Sequence, residues 1–154
     1  MLEMRRCLHA GLLALCALAA GAAMADCATY EIVGDRIPLP LSEHPGNAAA
    51  GRQIAADRQR GDCSICHRLP LPNDRFHGNV GPDLTTIGSR LTTAQIRLRV
   101  AANRHFNPES VMPDYCRSRG RHQVASAYKE QPILTAQEIE DIVAWLSSLD
   151  GSPP

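Results

Sequence analysis

The chain has 154 residues, enough for one domain, and its 16 basic and 16 acidic side chains cancel. That balance, with an aromatic content of 4%, argues against a nucleic-acid binder, which carries a basic excess and rings on which bases stack. The fold must therefore be held by aliphatic packing plus something else, and the six cysteines are the informative count.

Residues 1–25 read as a cleaved signal peptide. Arg5 and Arg6 form a basic start, Cys7 to Ala23 is small and apolar, and Ala23-Met24-Ala25 has the small-x-small form of a cleavage site before Asp26. A retained membrane helix is the alternative, but the run is rich in Ala and Gly and inserts poorly. A lipid anchor on Cys27 is disfavoured by the acidic Asp26 beside it. Cleavage implies export to the periplasm with no membrane attachment afterwards. It leaves Cys27, Cys63, Cys66 and Cys116 as the cysteines and Met112 as the only methionine.

Residues 26–46 hold Pro38, Pro40 and Pro45, which interrupt helix and central strand alike. They read as an extended arm over the surface, or else as a disordered leader. The domain proper spans 47–150. Asn47 caps a helix to about Arg60 that buries Ala50, Ile54 and Ala55 or Ala56, with Gly61 ending it. Residues 61–90 are broken by Gly and Pro, and so long an irregular run in a small domain suggests that it wraps something. Thr92 and Gln95 form a capping box, with Leu91 stapled to Ile96, for a helix to about Asn103. Its Arg97 and Arg99 imply a partly solvated face. After an irregular stretch at 104–134, Thr135 and Glu138 repeat the box, and Leu134 can staple to Ile139. Ile139, Ile142, Val143, Leu146 and Leu149 form one stripe at helical spacing, flanked by Trp145. The expectation is an all-α fold of about three main helices and long loops, short of apolar core unless a bound group supplies it.

Cys63-Ser64-Ile65-Cys66-His67 is the attachment sequence for c-type haem. Two thiols three positions apart on a helical turn reach the two vinyl groups on one porphyrin edge, and the next residue aims its imidazole at the iron. A structural zinc site would need further ligands from Cys116 and scattered histidines. A thioredoxin-like redox pair would need a βαβ context, and a plain Cys63–Cys66 disulfide is the remaining alternative. The second axial candidate is Met112, in a loop held by Pro113. The competing readings are a Met packed on the ring edge, or His77, His105 or His122 as ligand. Met/His ligation raises a haem's potential and closes the iron to added ligands, which suits electron transfer. Within Gly81-Pro82-Asp83-Leu84, the turn at Pro82 is placed to offer a backbone carbonyl to the Nδ1 proton of His67, unless it is an ordinary surface turn.

Cys27 and Cys116 are left over, and in an oxidising compartment two such cysteines usually pair. The alternative is a free thiol or a link between chains. Arg117, Arg119 and Arg121 alternate just beyond, either to favour an acidic partner or sulfur oxyanion, or as a plain solvated loop.

The haem motif, the Gly-Pro-x-Leu turn, the Met-Pro loop and the final amphipathic helix together resemble the class I cytochrome c fold. More narrowly, Gly78-Asn79-Val80-Gly81-Pro82-Asp83-Leu84, Ile87-Gly88-Ser89-Arg90, Val111-Met112-Pro113-Asp114-Tyr115 and Pro132-Ile133-Leu134-Thr135-Ala136-Gln137-Glu138-Ile139 resemble the SoxX family over roughly 47–149. That resemblance implies one haem c ligated by His67 and Met112, and a periplasmic heterodimer with a SoxA-like c-haem subunit that joins thiosulfate to a cysteine of a SoxYZ-like carrier protein. It implies that electrons pass through this chain to a small cytochrome c, the chain being an accessory subunit with no catalytic residue of its own. Two other readings stand beside it: a free-standing periplasmic electron shuttle, and a haem-binding sensor or structural partner.

Overall fold

The computed structural model describes residues 26–72, 76–118, 120, 126, 129 and 131–152. The expected signal peptide at 1–25, and Arg119, Arg121 and His122, lie outside the described residues. Among the described residues four α-helices follow in chain order: α1 (Ala48–Ala56), α2 (Ile87–Arg90), α3 (Thr93–Ala102) and α4 (Ala136–Ser147). Single turns of 3-10 helix at Cys63–Ile65 and Asn103–His105 add to them. Among the described residues, β pairing is confined to one bridge between Val33 and Arg36. Among the described residues no helix is long and apolar enough to cross a membrane.

The helix starts follow their capping chemistry. The Asn47 side chain accepts from the backbone N–H groups of Ala49 and Ala50 at 3.0 and 3.2 Å. Thr92 with Gln95, and Thr135 with Glu138, close reciprocal capping boxes. α1 stops earlier than the sequence suggests, at Asp57, and the chain then turns so that Gly61 still donates to the Ile54 carbonyl at 3.1 Å. Its buried face is Gly51 and Ala55, with Ala56 in solvent. The reason is a close crossing: a Cβ on Gly51 would lie 1.9 Å from the Asp141 carbonyl oxygen, so α1 and α4 meet backbone to backbone.

The core lies between α3, α4 and the arm. Ile96, Leu98, Leu134, Ile139, Ile142 and Val143 are at most 2% exposed, and burying each such side chain contributes roughly 1.5–3 kcal/mol. The arm is part of this core. Ile37 and Leu41 are buried, and the Cys27 and Ile37 N–H groups donate to the carbonyls of Cys116 and Ala94 at 2.8 and 3.1 Å. A disulfide joins Cys27 to Cys116 across a separation of 89 residues.

Arg97 corrects the expected solvated face of α3. It is 5% exposed and forms a two-pronged ion pair with Glu140 of α4, at 2.6 and 3.0 Å. Its remaining nitrogen donates to the Ile37 carbonyl at 2.9 Å, while Glu140 also accepts from the Leu41 N–H at 2.9 Å. The pair thus ties two helices to the arm. Arg99 is half-buried over the Phe106 ring, 4.8 Å from its centroid.

Candidate functional site

The Cys63–His67 segment is brought to the core by a tight reversal. Asp62 takes a left-handed conformation, φ +42°, and the 3-10 turn that follows gathers the N–H groups of Cys66 and His67 on the Cys63 carbonyl at 3.2 and 2.9 Å. A second segment is laced alongside. Gly78, Gly81 and Leu84 donate to the carbonyls of Ser64, Cys66 and Arg68 at 2.8, 2.9 and 3.0 Å.

This lacing sets the His67 ring. Its Nδ1 stands 2.7 Å from the Pro82 carbonyl oxygen. A carbonyl can only accept, so Nδ1 carries the proton and Nε2 presents its lone pair. The other side of the contact is Gly81, where a Cβ would lie 2.2 Å from Cε1 of the imidazole. The backbone therefore lies flat against the ring.

Cys63, Cys66, His67, Pro82 and Met112 all line one cavity of about 720 Å³, with Tyr115 among its walls. Met112 reaches it from a loop anchored at several points. Its N–H donates to Ser110 Oγ at 3.1 Å, and Asn103 holds that same hydroxyl at 2.7 Å. The buried Asp114 carboxylate accepts from the Arg104 N–H at 2.8 Å. Tyr115 and Cys116 donate to the Val100 and Ala101 carbonyls at the end of α3, at 3.3 and 3.2 Å.

Tyr115 is a site residue for which the sequence carries no separate signal. Its hydroxyl donates to the Gly61 carbonyl at 2.8 Å, bracing the Met112 loop against the turn that leads into Cys63. Burial, helped by the nearby sulfurs and Asp62, raises its pKa well above the ordinary phenol value, so the hydroxyl keeps its proton. Burial of the sulfur, with the Asp62 carboxylate adding to it, pushes the Cys63 thiol up to about 12.

Cys63 and Cys66 are not bonded to each other. Among the described residues no three His, Cys, Asp or Glu side chains are gathered to hold a metal ion, so a zinc site at the two thiols lacks its further donors. Of the rival histidines, His105 is exposed and packs edge-on against Phe106, and neither it nor His77 lines the cavity. Arg117 sits outside the cavity, 3.6 Å from Asp114.

Over residues 48–150 the chain matches the family model described as cytochrome c. Among solved structures it is similar to a chain in the crystal structure of SoxXA from P. pantotrophus. The two share 31% identity with a TM-score of 0.72, over 79% of this chain and 94% of that one. No curated protein sequence matches it.

Proposed function

Because the chain belongs to the cytochrome c family, and within it is SoxX-like, we propose that it is the mono-haem electron-transfer subunit of a periplasmic SoxAX-type thiosulfotransferase. The family implies covalently bound haem c, and the residues present fit it. Two unbridged thiols, an imidazole whose Nδ1 is engaged by a backbone carbonyl, a glycine flush against that imidazole and a thioether share one apolar-walled cavity.

When bound, the haem supplies an iron that moves between ferric and ferrous states and so carries an electron. In this proposal Cys63 and Cys66 hold its vinyl edge through thioethers. His67 would hold the iron through Nε2, oriented by Pro82, whose carbonyl draws on the Nδ1 proton and makes Nε2 a better donor. Met112 would hold the iron from its own loop, and its soft sulfur would favour the ferrous state and keep other ligands off. Leu84, Val100, Ile142 and Leu146 wall the cavity; by excluding water they limit solvent rearrangement when the charge changes.

Joining thiosulfate to a cysteine of a SoxYZ-like carrier is an oxidation, and its electrons need an exit. The proposal places that sulfur chemistry on a SoxA-like c-haem partner and gives this chain the exit, onward to a small cytochrome c. The convergence of Cys63, Cys66, His67 and Met112 on one cavity carries the electron-transfer part. The 31% identity to a chain of SoxXA supports the subunit part.

Native purification by size exclusion, with haem counting, tests both. The expected result is a one-to-one complex with a second c-haem protein that couples thiosulfate to cytochrome reduction. A lone monomer with one haem would replace the subunit reading with a free electron shuttle.

A further inference from the structure

An open groove of about 700 Å³ runs beside the Cys63–Cys66 turn, with α1 along one wall. It shares only Asp62 and Ile65 with the haem cavity, and Ser64, which lies between the two thiols in sequence, lines it as well. Much of its wall is apolar and open to water. Phe76 is 95% exposed and Ile65 59%, and Leu71 also lines the groove.

The charged groups of this groove set it apart. Arg52 of α1 and Arg58 both line it, and among the described residues neither has an ion pair, a hydrogen bond or a ring contact. Every other arginine of the described residues has a partner. The one carboxylate among the described lining residues is the half-buried Asp62, which cannot offset two guanidinium charges. The haem cavity differs. Its walls include the exposed Val80 and Val111, and no arginine or lysine lines it.

Lasting protein interfaces are broad and apolar, whereas electron-transfer encounters are small and steered by charge. Two unpaired guanidinium groups beside an exposed aromatic ring match the second kind. Resting on the electron-transfer reading above, we propose that this groove is the docking site of the electron acceptor. The acceptor it fits is a small acidic redox protein, with carboxylates that meet Arg52 and Arg58 and an apolar side chain that covers Phe76 and Ile65. One electron leaves this chain's iron, which becomes ferric, and reduces the acceptor's own one-electron centre; no bond or proton moves. The partner would rest on Ser64 and Ile65, the backbone that joins the two haem-bearing cysteines, so the exit path is covalent up to the contact.

The test uses the exported, haem-loaded protein and two probes of one fold and opposite charge. These are mitochondrial cytochrome c, which is basic, and the same protein with its lysines succinylated, which is acidic. Stopped-flow spectroscopy reads the bimolecular rate of electron exchange at low and high salt. Arg52→Glu and Arg58→Glu should each slow exchange with the succinylated probe by about tenfold at low salt, with the difference fading at high salt. Exchange with the basic probe should not slow. Phe76→Ala should slow the succinylated probe at high salt too, because apolar contact is not screened. Arg36→Glu makes the same charge change at an exposed site on the arm, outside the groove, and should leave the rate unchanged.

Groove variants that exchange like wild type would overturn the proposal, as would Arg36→Glu slowing exchange as much as they do, which would mean net charge alone. Loss of the one-to-one complex with the second c-haem protein in Arg58→Glu, read by size exclusion, would give the groove to that lasting partner and overturn it too. If Arg52→Glu fails to fold, Arg58→Glu and Phe76→Ala, both at solvent-exposed positions, carry the same test. Wild-type protein that exchanges electrons with neither probe would instead overturn the electron-transfer reading, and this proposal with it.

Discussion

Gly81 leaves no room for a side chain. A Cβ there would sit 2.2 Å from the His67 ring, so Gly81→Ala must push the imidazole off its Pro82 carbonyl or lift the 78–84 segment. Overpacking of this kind costs about 1–3 kcal/mol. The expected outcome is a lower melting temperature together with a shifted visible spectrum, whereas Gly34→Ala, with open space around its Cβ position, should leave the spectrum alone. Met112 is the complementary case. Met112→Ala should keep the haem attached, lower the potential and let ferrous protein bind carbon monoxide. An unchanged spectrum and potential would remove Met112 as a ligand. The orienting bond of His67 was legible in advance because Gly-Pro after the haem motif writes a turn with a free carbonyl. Two features were not. Asp62 adopts a left-handed conformation that Gly or Asn would have signalled, and the bond from Tyr115 to Gly61 spans 54 residues, beyond any local pattern.

At the scale of elements, the helices that announced themselves are those with caps. Asn47, Thr92 and Thr135 each satisfy orphan N–H groups with their own side chains, and local chemistry of that kind is visible in sequence. α2 went unread because it is four residues long, contains Gly88 and has no side-chain cap. Arg97 was misread as solvated because charge on a helix usually faces water, and its counter-ion lies 43 residues away on α4. That pair makes a sharp prediction. Glu140→Leu strands a buried guanidinium and also releases the Leu41 N–H, so it should cost about 3–5 kcal/mol. Adding Arg97→Met should recover much of the loss, since an apolar pair of similar volume avoids burying charge. Thermal unfolding of the two single variants and the double measures this, and a double variant worse than Glu140→Leu would refute it.

For the whole molecule, class I cytochrome c architecture follows from α1 crossing α4 where Gly51 allows backbone contact. The arm and the Met112 loop are then secured to that frame by the disulfide. In the chain-entropy description, closing a loop across 89 residues stabilises the fold by about 4–5 kcal/mol. Cys116→Ser should therefore lower the melting temperature markedly with the haem still attached. It should also loosen the loop that carries Met112 four residues away, giving partial carbon monoxide binding that the parent lacks. Unaltered ligand binding with lowered stability would show that Asp114 and Tyr115 suffice to hold the loop. The long-range contacts of the arm, from Ile37 to Ala94 and from Leu41 to Glu140, were not readable from a proline-broken segment whose own pattern is neither helix nor strand.

The Cys27–Cys116 bond also changes the topology of the chain. From 27 to 116 the polypeptide is a closed ring, and α4 hangs from it as a tail. Cys63, Cys66, His67 and Met112 all belong to the ring. A protease that nicks it once opens the circle without parting the pieces, so both thiols and both proposed haem ligands stay in one covalent body until a reductant or a second cut arrives.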